Sequence, residues 1–117
     1  MRLLKRECLE IIKKRIEECE KWQKNHEASG NALGSAYEDV KVLTLEKIYR
    51  ELSEYPTLLE YLPRMEAELA KAEKEYDEQE KKPHASVWDD NYHLTRCMSR
   101  FQTYRDMYAL FSNTEEQ

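Results

Sequence analysis

Asp89, His93 and Cys97 stand at i, i+4 and i+8, which stacks a carboxylate, an imidazole and a thiol along one helix face. All three groups bind zinc. A structural zinc site needs four ligands, and no CxxC or HxxxH pair supplies the rest. The expectation is therefore no metal, only a seam cysteine beside a surface histidine. His93 and Cys97 also have the spacing of a base and its nucleophile, but no orienting partner is evident and no strained turn exposes the thiol. Asp90 and His93 make one carboxylate-x-x-histidine pair, whereas di-iron bundles use two such pairs and two further carboxylates. The sequence has no glycine-rich phosphate loop, no GxSxG and no HExxH. Its many carboxylates fall on charged helix faces, not in the apolar settings that make a general acid. These patterns predict a chain with no catalytic residues, no metal and no cofactor.

Binding is the more natural use of the remaining residues. Trp88, Tyr92 and Leu110 lie about half a turn from the main apolar seam of their helix. Aromatics outside a core anchor protein interfaces, so Trp88 and Tyr92 are candidate partner contacts. The other reading is that a neighbouring element covers them. A second candidate is an acidic surface made by Glu66, Glu68, Glu73, Glu75, Asp77, Glu78 and Glu80. Such a surface could block a basic site on nucleic-acid or host-defence machinery, although Lys71, Lys74, Lys81 and Lys82 dilute it. The alternative is direct nucleic-acid binding through the basic first helix and an arginine–aromatic face of the fourth. Arg96, Arg100 and Arg105 alternate with Tyr92, Phe101, Tyr104 and Tyr108, a pattern that can stack and hold a single strand. The net charge of −5 weighs against it, because broad phosphate-backbone binding needs a basic surface.

These side chains must be positioned by helices. Ala, Glu, Lys, Leu and Arg supply 59 of the 117 residues, the composition of long helices or coiled coils. Two glycines and three prolines are too few breakers for a chain of short strands. Eight tyrosines and two tryptophans argue against disorder and predict a thin, tyrosine-rich core. The breakers cut the chain into helices at about 2–25, 35–54, 57–82 and 86–112, with a frayed tail at 113–117. Ser35, Thr57 and Ser86 each open a capping-box spacing. Pro63 either kinks the third helix or starts it.

Leu58, Leu62, Met65, Leu69, Ala72 and Tyr76 repeat at 4, 3, 4, 3, 4, and Leu94, Cys97, Phe101, Tyr104, Tyr108 and Phe111 at 3, 4, 3, 4, 3. Both are heptad seams. The fold class is all-α: a small four-helix bundle whose third and fourth helices form an extended antiparallel coiled-coil-like hairpin. Helix one carries Leu4, Cys8, Ile12, Ile16 and Cys19 on one stripe, flanked by Ile11 and Trp22. Helix two has two stripes. Leu33, Ala36, Tyr37, Val40, Leu43 and Ile48 form one, and Val42, Leu45, Tyr49 and Leu52 the other. A second stripe means a central helix or a surface that meets another chain, so Val42, Leu45, Tyr49 and Leu52 join the partner-binding candidates.

Charge is uneven along the chain. Residues 1–24 carry eight bases and five acids, whereas residues 25–82 carry eight bases and fourteen acids. A basic first helix on an acidic body can guide self-association or a charged partner. No stretch is apolar enough to span a membrane or to act as a signal core, and three scattered cysteines suit a reducing compartment. The expectation is a cytoplasmic, non-catalytic adaptor, regulator or inhibitor that binds another protein, with a homodimer or structural homo-oligomer as a further alternative.

Overall fold

A computed structural model describes residues 4–82 and 87–112, without the side chains of residues 87–90. The expectations for Pro83, the Ser86 cap, the Trp88, Asp89 and Asp90 side chains and the tail at 113–117 lie outside the described residues. The chain is a four-helix all-α bundle of α1 (Lys5–Ala28), α2 (Ala32–Glu54), α3 (Leu58–Lys81) and α4 (Val87–Ser112). Among the described residues there is no strand.

Local chemistry sets each helix end. At the start of α1, the Leu4 N–H donates to Glu7 Oε1 at 3.0 Å, which satisfies one of the orphan donors. At its end, Gly30 takes φ +76°, the left-handed conformation that glycine adopts without strain. The Asn31 N–H then closes on the His26 carbonyl at 2.8 Å. Asn31, not Ser35, caps α2, because its Oδ1 accepts from the Gly34 N–H at 2.9 Å. The helix therefore begins a turn earlier than Ser35 implies. Gly34 has its own constraint: a Cβ there would lie 2.5 Å from Asn31 Nδ2 and 2.8 Å from His26 Nδ1. Thr57 caps α3 by accepting from the Glu60 N–H at 3.2 Å. The helix runs through Pro63, so Thr57 marks the start and Pro63 only deletes one interior hydrogen bond.

The helices pack as two hairpins. α1 lies along α2, α3 lies along α4, α2 also packs on α4, and α2 touches α3 sparsely. The α3–α4 pair is antiparallel. Tyr108 donates to Glu66 at 3.2 Å, Arg100 to Glu75 at 3.1 Å, and the Tyr76 and Phe101 rings stack at 5.8 Å. The molecule is elongated, 47 × 32 × 24 Å. All six seam residues of α3 are buried or half-buried, and Tyr61 is fully buried beside them. Tyr61 satisfies its hydroxyl by donating to Glu51 Oε1 at 3.2 Å, as a buried phenol must.

The α2–α4 crossing has a different composition. Ser99, Thr103 and Met107 are buried on α4, and Val40 and Thr44 on α2. Their hydroxyls are spent locally. Ser99 Oγ donates to the Tyr37 carbonyl at 2.6 Å, Thr103 Oγ1 to the Ser99 carbonyl at 2.7 Å, and Thr44 Oγ1 to the Val40 carbonyl at 2.7 Å. Small side chains with satisfied hydroxyls thus share this crossing with Val40, and the Ser99 bond ties α4 directly to the α2 backbone.

Candidate functional site

The second stripe of α2 faces inward. Leu45 and Leu52 have no exposure, Val42 is buried, and Tyr49 is half-buried against the same core. The stripe is a partner-binding candidate in sequence, and in the single chain its side chains turn into the core. α2 is the central helix, in contact with α1, α4 and, sparsely, α3, so both of its apolar faces find internal partners. The exception is Leu43 on the first stripe, which is 53% exposed.

Tyr92 is half-buried and lines a groove of about 450 Å³ beside Gln23, Glu27, Ala36 and Asp39 at the α1–α2 turn. The Arg96 guanidinium sits 5.6 Å from its ring centroid, a cation–π distance. The acidic surface on α3 divides. Glu68 binds Lys47 at 3.3 Å and Arg64 at 3.6 Å, and Glu75 binds Arg100 at 3.1 Å, so both hold the bundle together. Glu66, Glu73, Asp77, Glu78 and Glu80 remain exposed.

The arginines of α4 are likewise engaged inside the chain. Arg96 lies 3.7 Å from Asp39, Arg100 pairs with Glu75, and Arg105 covers the Phe101 ring at 5.4 Å and pairs with Asp106 at 3.6 Å. Stems covering the bundle edge explain their alternation with aromatics.

The residues with chemical potential stay apart or quiet. His93 is exposed while Cys97 is half-buried, and burial raises the Cys97 thiol above its ordinary value. Cys8 and Cys19 are buried in the α1–α2 interface, where burial pushes both thiols up to about 11. A protonated, buried thiol is a packing group and a poor nucleophile. Among the described residues, no three His, Cys, Asp or Glu side chains gather as a metal site. No described helix is long and apolar enough to cross a membrane.

Reading the sequence for stripes missed the outer edge of α1. Leu4, expected in the core, is 57% exposed, and so is Trp22. Ile11 is half-buried between them. These three share one helix face by their spacing of 7 and 11. The face borders a hollow of about 320 Å³ lined by Ile11, Lys14, Arg15, Glu18, Cys19 and Lys41. Three cations and one carboxylate leave it basic. The spacing alone could have separated this line from the Cys8, Ile12, Cys19 face, which lies roughly a quarter-turn away.

Comparison with known protein families, curated proteins and solved structures gave no match to this chain.

Proposed function

We propose that the chain is a non-catalytic protein–protein interaction module, an adaptor or regulator that docks a partner on the outer edge of α1. One observation carries the reading: Trp22 is 57% exposed on a face it shares with Leu4 and Ile11. Tryptophan is highly buried on average and is enriched among interface hot spots. Lys14, Arg15 and Lys41 frame the same face, so the matching partner surface is apolar with acidic flanks. Three free cysteines suit a cytoplasmic setting.

The test is affinity capture with the wild-type chain and with Trp22→Ser and Ile11→Ser. A stoichiometric partner that both substitutions release supports the reading. Equal capture by all three chains refutes it. A second reading, self-association, is favoured by the basic α1 edge and the exposed acids of α3 on the same chain. Light scattering separates the two, since only self-association gives a mass that rises with concentration and falls in Trp22→Ser.

A further inference from the structure

Between α2 and α4 lies a cavity of about 140 Å³ with a cationic lining. Lys47, Arg96 and Arg100 supply its charged side chains, Val40 and Leu43 part of its apolar wall, and among the described residues no carboxylate lines it. The carboxylates that pair with these cations are Glu68, Asp39 and Glu75, and all three lie outside the cavity lining. A neighbouring hollow of about 310 Å³ shares Lys47, Arg100 and Tyr104 with it and adds Lys71, Ala72 and the carboxylates Glu68 and Glu75.

Tyr104 joins the two spaces. It lines both cavities and is only 2% exposed, yet its hydroxyl has no hydrogen-bond partner among the described residues. A buried hydroxyl without a partner costs free energy that a ligand acceptor can recover. Burial, with Glu68 and Glu51 nearby, keeps the proton on the phenol and so keeps it a donor. Those two carboxylates are already spent on Lys47, Arg64 and Tyr61. The other cavity hydroxyl, Thr44, is spent on the Val40 carbonyl. Tyr104, with its unpartnered hydroxyl, therefore lines the same cavity as three cations, each paired with a carboxylate outside that lining, and two of them are guanidinium forks suited to phosphate oxygens.

We infer that this cleft binds a single phosphate group, held by Arg96, Arg100 and Lys47 at the mouth and by the Tyr104 hydroxyl at the floor. The site lies across α2–α4 and stands independently of the α1 docking edge.

The full-length chain is titrated with inorganic phosphate and, separately, with O-phosphoserine, and followed by amide NMR. Sodium chloride at matched ionic strength is the control. Saturable shifts confined to residues 40–47 and 96–104 are expected with at least one phosphate probe and not with chloride. Equal affinities identify free phosphate as the ligand; phosphoserine binding about tenfold tighter identifies a phosphoryl group on a larger molecule. Tyr104→Phe, which keeps the ring, is expected to weaken binding about threefold to tenfold. Arg96→Gln is expected to weaken it by about tenfold or more. Chloride shifts that match those of phosphate overturn the assignment, and so does unchanged affinity in Tyr104→Phe.

Discussion

α4 is packed on two sides by two kinds of interface. Toward α3 it presents Phe101, Tyr104, Tyr108 and Phe111 against a line of Leu58, Leu62, Met65, Leu69, Ala72 and Tyr76. Toward α2 it presents Ser99 and Thr103 against Val40 and Thr44. The first interface gains its stability from apolar area removed from water, at about 25 cal/mol per Å². The second gains from close backbone approach, with each hydroxyl satisfied within hydrogen-bond reach. One helix can thus carry a seam that hydropathy reveals and a seam that hydropathy hides.

The widest separation between the two should come from truncation and enlargement. Met65→Ala empties the fully buried seam position and is expected to cost about 2–5 kcal/mol in denaturant unfolding. Ser99→Ala only removes a bond to the Tyr37 carbonyl and is expected to cost about 1 kcal/mol. Parity between these two losses would break the comparison. A third interface, the α1–α2 hairpin, can be read by pH. The Cys8 and Cys19 thiols are held near 11, above their unfolded value near 9, so the unfolded chain releases those protons first. Stability is then fully present below pH 9 and falls as pH rises toward 11, by about 2–3 kcal/mol per thiol. Alkaline melts of wild type and Cys8→Ala should show the shallower slope in the variant.

Smaller effects sharpen the same contrast. Ser99→Val adds bulk where the helices approach closely and is expected to cost about 1–3 kcal/mol, measured by thermal melting. Enlargement should therefore hurt the crossing more than truncation does, the reverse of the α3–α4 seam. Trp22 is 57% exposed and its nearest ring, His26, is on its own helix, so Trp22→Ser should change stability by less than about 0.5 kcal/mol. A larger loss would make Trp22 a structural residue and remove the support for the α1 docking edge.

The sequence made visible what depends on apolar repetition. The α3 stripe is inward at every position, and the long helices fall close to their expected spans. The α2–α4 crossing was not visible, because Ser99 and Thr103 look like surface residues until their hydroxyls are seen bonded to backbone carbonyls. Ser35 resembled a cap, but Asn31 takes that role because the left-handed Gly30 brings it to the start of the helix. The second stripe of α2 carried two meanings, and only its neighbours decide between them. Trp22 was read as a core flank because one-dimensional spacing counts residues and not the width of the face that α2 covers. The phosphate cleft joins Lys47 to Arg96, Arg100 and Tyr104, residues from two helices that no local pattern connects.

α1 rests almost wholly on α2, whereas α4 is gripped from two sides. Protection from amide exchange should follow that arrangement. α1 can detach as a unit while the other three helices keep their mutual contacts, so its amides report a sub-global opening and those of α4 report global unfolding. In that opened state Cys8 and Cys19 lose their shelter, and a thiol reagent that reacts faster than α1 re-docks would label them at the rate at which α1 departs.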